Sequence, residues 1–437
     1  MTTDIPAAGL APIELPKRRI FHPVLWVPTA YTAEGLPFVM VNVAAVLMYK
    51  RLGLSDAQIT FFTGLVTIPW FLKPLWGPLI EMFRSKKAFV LATELGSGIC
   101  FGLLALSLHL PFWFTWSLIF FGLIAINSAV HDTAADGIYV TVLDPKRQAQ
   151  YVGWQGAFYN VGKIVSQGGF IWFAGYLEKQ TGPLMAWTIA MASFGGVMAT
   201  LFLWHAVFLP TGGQTRKPAG SGGLRMAWDV FVTFFKKKYI FWAILFLLLY
   251  RFAEGQAIKI FPLFAVAARD HGGLGLSTEQ FGLAYGVFPP ITFVLGSILA
   301  GYFTASRGLR KSLLTLCAAF NIPFAVYLTL ALTQLTNLTA ITSLVSIEYF
   351  GYGFGFVGLQ LFMMQQIAPG PYRTAHYAFA TSIMFLGFLI PSLWSGTLSE
   401  MLGYQHFFVW VMAATIPSFL VAWLVPFRDT SKEPAGA

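Results

Sequence analysis

Asp132 and Asp136 lie four residues apart in the run Ala129-Val-His-Asp-Thr-Ala-Ala-Asp-Gly137, with His131 beside the first. At helical spacing both carboxylates share one face. In a low-dielectric setting two carboxylates so close do not both ionise readily, which suits one of them to taking up and releasing a proton. A structural lock is the other use of such a pair, each aspartate neutralising a basic residue near a helix end. Glu34 and Glu254 form a second pair, in the matching triplets Ala33-Glu34-Gly35 and Ala253-Glu254-Gly255. Each can carry a proton or touch a solute. Arg251, three residues before Glu254, can touch an anionic substrate or instead hold that glutamate on its own helix. Lys73, Lys163 and Lys259 are cations within apolar runs and need partners, either an anionic substrate or the carboxylates just named. Tyr31, Trp154, Tyr159 and Tyr250 stand near these charges and can offer a solute a stacking surface. Glu348 joins the candidate lining, and Glu94 can cap a local network.

Other chemistries find little support. Cys100 and Cys317 both sit in apolar runs, so neither a disulfide framework nor a thiolate metal site is expected, and no cofactor is called for. No Gly-x-x-x-x-Gly-Lys-Ser/Thr loop occurs, which argues against direct ATP use. His131 and Asp132 could form the acid–base pair of a membrane-embedded enzyme, but one catalytic centre does not call for matched Glu34 and Glu254. No catalytic residue is therefore assigned. A transport fold turned sensor or assembly factor is the third possibility.

The elements that must position these residues are membrane helices. Of the 437 residues 57 % are hydrophobic and 11 % charged, against about 25 % charged in a soluble domain. Apolar runs long enough to cross ~30 Å of hydrocarbon repeat along almost the whole chain. They predict an all-α integral membrane protein with twelve transmembrane helices near 24–49, 57–82, 88–108, 113–140, 149–176, 184–210, 239–266, 278–304, 311–333, 337–366, 374–398 and 403–427. The net charge of +10 does not indicate a nucleic-acid partner, because the basic residues cluster between apolar runs. Lys17, Arg18 and Arg19, then Arg84, Lys86 and Lys87, then Lys146 and Arg147 mark one side. Arg216, Lys217, Arg225, Lys236 to Lys238, Arg307, Arg310, Lys311, Arg373, Arg428 and Lys432 continue it. Lys50, Arg51, Lys179 and Arg269 fall on the other side, so the positive-inside rule places both termini in the cytoplasm.

The polar stretch from Thr211 to about Arg225 reads as a flexible linker at the midpoint. The expected divisions are a cytoplasmic tail at 1–23, a six-helix half at 24–210, a cytoplasmic linker at 211–238, a second half at 239–427 and a tail at 428–437. The halves repeat each other. Glu34 recurs as Glu254 at an offset of 220, and Leu54-Ser55 with Gln58 and Gly64 recurs as Leu276-Ser277 with Gln280 and Gly286 at an offset of 222. The basic turn Arg84 to Lys87 is echoed by Ser306 to Lys311.

Parallel six-helix halves joined by a central cytoplasmic linker resemble the major facilitator transporters, which bind solute between the halves and rock one against the other. Gly351, Gly353, Gly355 and Gly358 in predicted helix 10, and Pro289-Pro290 in predicted helix 8, suit such sliding or simply tighten packing. Two motifs narrow the resemblance. Trp70-Phe-Leu-Lys73-Pro-Leu-Trp-Gly-Pro-Leu-Ile-Glu81, and Asp132-x-Ala134-x-Asp136-Gly followed by Leu143, Tyr151 and Gly153, are similar to the AmpG-like branch of that superfamily. This branch includes anhydromuropeptide permeases, some siderophore permeases and the acetyl-CoA transporter group. The resemblance implies a proton-coupled secondary carrier, working as a monomer in a bacterial inner membrane, whose cargo is a bulky organic anion. It assigns gating to Glu81 and Arg84, where Glu81, Arg84, Lys86 and Lys87 replace the usual Asp and Gly-Arg pair of the helix 2–3 loop. A polar midpoint linker stands where some muropeptide permeases have an extra pair of helices.

Overall fold

The computed structural model describes residues 21–73, 75–76, 80, 85–212, 222–370 and 372–427, and their regular elements are all helical. The N-terminal set is α1 (Pro23–Arg51), α2 (Asp56–Val66, continued by Ile68–Phe71), α3 (Lys86–Ser107), α4 (Trp113–Val142), α5 (Pro145–Ile164, continued to residue 181) and α6 (Pro183–Phe208). The C-terminal set is α7 (Ile240–Val266), α8 (Thr278–Arg307), α9 (Leu309–Thr333), α10 (Leu338–Ile367), α11 (373–402) and α12 (404–424). Between the sets, part of the expected flexible linker is instead helical, over Gly222–Phe235. This linker helix packs on the start of α11, where Phe234 meets Phe379 and Thr233 lies 3.2 Å from His376 Nε2.

Nine helical runs among the described residues are long and apolar enough to cross a membrane, against an expected twelve. Part of predicted helix 2 lies outside the described residues, and α5 is more polar than the other runs, carrying Lys146, Arg147, Lys163, Glu178 and Lys179. α11 and α12 run on as one 50-residue stretch, broken at Gly403. There φ is 72°, in the left-handed region where a side chain would be strained. Large apolar side chains such as Leu106, Phe241, Tyr302 and Trp423 are exposed on the outside, as lipid contact requires.

The sequence repeat is also a structural one. Ser55 and Ser277 each cap their helix in a capping box, with Gln58 and Gln280 reaching back to the cap. The Glu-Gly triplets mark equivalent crossings. A Cβ on Gly35 of α1 would strike the Tyr159 carbonyl of α5, and one on Gly255 of α7 would strike the Phe388 carbonyl of α11. The α10 glycines serve packing within the C-terminal set, Gly353 against Phe293 of α8 and Gly355 against Leu316 of α9.

The hydrogen bonds and ion pairs found between the two sets among the described residues gather at one face. There Tyr404 Oη donates to Asp56 Oδ2 at 2.6 Å, the Ala57 amide donates to Glu400 Oε1 at 2.9 Å, and the Gly396 amide donates to Thr60 Oγ1 at 3.1 Å. Arg51 Nε donates to Thr278 Oγ1 at 2.8 Å, Thr278 donates to Glu178 Oε2 at 2.7 Å, and Lys179 pairs with Glu279. The molecule is closed at the face that bears the α1–α2, α5–α6, α7–α8 and α11–α12 connections.

Candidate functional site

α1, α2, α4 and α5 bring most of the predicted acidic and basic residues of the N-terminal set together. Lys73, in the turn after Phe71, reaches Asp132 Oδ2 of α4 at 2.8 Å; its side chain stays 44 % exposed while Asp132 is 8 % exposed. Glu34 of α1, His131 and Asp132 each direct one ligand-type atom into a space where all three lie within 4.8 Å of one another. Glu34 Oε1 and Asp132 Oδ1 are buried without a hydrogen-bond partner. One turn further along α4, Asp136 Oδ1 accepts from Tyr31 Oη at 2.8 Å, and Gln155 Nε2 of α5 donates to the same hydroxyl at 2.5 Å. Tyr159 stands within electrostatic reach of Asp132 and Glu34.

The two aspartates therefore share a helix face but not an environment. Asp132 belongs to an ion pair, and Asp136 to a phenol. Three carboxyl groups, Glu34, Asp132 and Asp136, face one ammonium, Lys73, in a largely buried setting. Leaving two negative charges there uncompensated is costly, so the cluster must take up positive charge, as a proton or another cation. The Glu34, His131 and Asp132 donors could by type hold a metal ion. The Lys73 ammonium already occupies a cation position on Asp132 and opposes a second positive charge.

Behind this cluster lies a polar group of which sequence reasoning named only part. Glu94 of α3 is 0 % exposed and its Oε1 accepts from His131 Nε2 at 3.1 Å and from His205 Nδ1 at 2.6 Å. His205 Nε2 is 2.9 Å from Thr29 Oγ1. Gln155 and Thr29 were missed because a lone amide or hydroxyl in an apolar run has no spacing signal. His205 in predicted helix 6 offered one, a solitary imidazole among apolar residues.

The C-terminal set treats its equivalent residues differently. Arg251 Nε and Nη2 donate to the two oxygens of Glu254, each at 2.5 Å, and Tyr352 Oη donates to Glu254 Oε1 at 2.9 Å. The guanidinium also lies against the Phe356 and Phe388 rings, at 5.5 and 4.9 Å. Glu254 is thus held on its own helix, whereas its counterpart Glu34 keeps an unpartnered oxygen. Glu348 is fully buried beside Tyr327.

The remaining predicted lining is spread across both sets. Lys163 of α5 has no ion pair among the described residues; its Nζ lies over Tyr159 at 5.9 Å and, across the interface, over Phe293 of α8 at 5.6 Å. Lys259 of α7 is 5 % exposed and likewise without an ion pair among the described residues. Trp154 is half-exposed in a ring ladder with Tyr151 and Phe158. Tyr250 is not a surface for a solute: it is buried, donates to the Gly355 carbonyl at 2.9 Å and packs on Phe246 and Phe320. Glu81 and Arg84 lie outside the described residues.

The sequence profile described as Major Facilitator Superfamily matches residues 29–390. The chain belongs to the major facilitator superfamily. It is an integral membrane transporter, not an enzyme. Among its relatives, a putative transporter named AmpG 4 of Rickettsia conorii is 20 % identical over 402 residues, which is 89 % of this chain and 92 % of that protein. The anhydromuropeptide permease of Escherichia coli K12 is 20 % identical over 395 residues, 89 % of this chain and 77 % of the permease. Among solved structures, a mutant of the nucleoside transporter NupG superposes with a TM-score of 0.72 at 13 % identity, over 92 % of this chain and 99 % of that one. These likenesses agree with the AmpG-like resemblance of the helix 2 and helix 4 motifs and with the facilitator fold.

Proposed function

We propose that this facilitator is a proton-coupled carrier of a bulky organic anion, with an anhydromuropeptide as the first cargo to test, acting by alternating access in a bacterial inner membrane. The observation that carries the reading is the surplus of carboxyl groups over cations around Glu34, Asp132 and Asp136. Within this cluster Glu34 is the proton carrier: its Oε1 is buried and unpartnered, and it has neither the ion pair of Asp132 nor the phenol of Asp136. Lys73 is the switch: its ammonium pairs with Asp132 in the present state and turns to the substrate anion when Glu34 passes its proton to Asp132. His131 relays charge between this site and Glu94.

Lys163 and Lys259, cations without ion pairs among the described residues, supply positive charge to the cargo, with Trp154 and Tyr159 offering ring faces. Arg251 and Glu254 hold the C-terminal wall rather than cycle a proton. Residues 24–210 and 239–427 rock as two bodies about the 211–238 linker. With both termini in the cytoplasm, the closed face is extracytoplasmic and the present state faces inward. Glu81 and Arg84 act at the helix 2–3 gate, and the unit of transport is one chain. A siderophore or acyl thioester is the alternative cargo.

The test is uptake of labelled anhydromuropeptide into proteoliposomes under an imposed inward proton gradient, for wild type and Asp132→Asn. Uptake that needs the gradient, stops with a protonophore and is lost in the variant supports the reading. Absence of uptake in wild type removes this cargo, and uptake indifferent to the gradient removes proton coupling.

A further inference from the structure

A cavity of about 800 Å³ opens on the closed face, where the α1–α2, α5–α6 and α7–α8 connections meet. Both helix sets line it, and its charged residues are Lys50, Arg51, Lys179 and Arg269 against one carboxylate, Glu178. These four cations are the basic residues that the positive-inside rule leaves on the extracytoplasmic side. Topology does not require any of them there, since the rule disfavours Lys and Arg in short outside connections. Their gathering around one cavity therefore needs a local reason.

Closure accounts for part of it. Lys179 pairs with Glu279 across the interface, and Lys50 pairs at 2.6 Å with Asp56, whose other oxygen accepts from Tyr404 of the C-terminal set. Closure does not account for Arg269. Its Nη1 and Nη2 donate to the Gln334 and Leu335 carbonyls, at 2.8 and 3.0 Å, both within the C-terminal set. Neutral acceptors fix the guanidinium in place without cancelling its charge. Arg51 is held in a similar way: Thr278 Oγ1 and the Leu276 carbonyl accept from it at 2.8 and 2.9 Å, while the Glu178 carboxylate is 3.6 Å away. Two guanidiniums and an ammonium lining one cavity supply the positive charge that a carboxylate or phosphate requires. The volume suits a small organic ligand.

We propose that this cavity is an anion-capture site for carboxylate- or phosphate-bearing organic solutes, separate from the central site. It extends the anionic-cargo reading above and rests on it for its place in transport. An anion seated there competes with Glu178 for Arg51, within the N-terminal set, and with Glu279 for Lys179, a contact that joins the two helix sets.

Isothermal titration of succinate into the purified full chain in low-salt buffer tests the site without any transport assay. Wild type binds saturably, and Arg269→Gln and Lys179→Gln each weaken binding about tenfold. Arg269→Lys keeps the charge and retains most of the affinity. Lys179 is 61 % exposed at its side chain, so its variant carries the test if Arg269→Gln does not fold. No saturable binding in wild type overturns the proposal, as does binding lost in Lys163→Gln and intact in Lys179→Gln, which would seat the anion centrally. Failure of muropeptide uptake leaves these outcomes unaffected.

Discussion

Equivalent residues of a duplicated chain carry different duties here. Glu34 and Glu254 occupy the same position in their halves, yet Arg251 and Tyr352 satisfy one and leave the other with an unpartnered buried oxygen. Glu254→Gln therefore acts on stability. Breaking a buried ion pair costs about 3–5 kcal/mol, so thermal unfolding of the purified variant shifts down by several degrees. Glu34→Gln, which removes a charge lacking a full set of partners, leaves the melting temperature within a few degrees of wild type. The residue types were legible in the sequence, and so was the possible Arg251–Glu254 pair, from its spacing of three. That Lys73 chooses Asp132, or that Tyr31 and Gln155 hold Asp136, was not legible, because these contacts join separate helices whose rotation and depth no local pattern sets.

At the scale of elements, the repeat makes a quantitative expectation. Ser55 and Ser277 cap α2 and α8 through the same capping box, so Ser55→Ala and Ser277→Ala destabilise by similar amounts, about 0.5–2 kcal/mol each. Denaturant titration of the two variants should give midpoints that move together. Gly162 faces the Thr32 carbonyl where α5 meets α1. Gly162→Leu forces apart the two helices that carry Glu34 and Tyr159, and it should lower folded yield in size-exclusion chromatography far more than either cap variant. Helix positions were readable from apolar run length, and the described helices begin and end within about five residues of the predicted ranges, apart from the end of predicted helix 2, which lies outside the described residues. The helical part of the linker was hidden by its neighbours. Gly, Pro and Ser dominate the stretch before Gly222, while Val230 and Phe234 are buried beside α11 and Trp228, Phe231 and Phe235 stay exposed.

The whole molecule is held shut at one face by a small set of polar contacts. Exposed ion pairs contribute little individually, about 0–1 kcal/mol, so the closed state is easily biased. Removing two cross-set contacts, in Lys179→Gln with Tyr404→Phe, shifts the population toward opening at that face. Thr60 is 0 % exposed and accepts from the Gly396 amide across the interface. A Thr60→Cys reporter, with Cys100 and Cys317 replaced by Ser, should react with a water-soluble maleimide several-fold faster in the double variant. Superfamily and fold were legible at this scale from hydrophobic runs, basic connections and the repeat. Which face is closed was not, since alternating states share one sequence and differ only in which weak contacts are made.

The central claim is that Glu34 carries the coupled proton. Its most direct test is the pH change of a weakly buffered solution of purified protein, read with an indicator dye, when a transported anion is added to wild type, Glu34→Gln and Glu254→Gln. The account predicts a solute-dependent proton movement in wild type that is abolished in Glu34→Gln and retained in whatever fraction of Glu254→Gln remains folded. A signal unchanged in Glu34→Gln, or one lost only in Glu254→Gln, would contradict it.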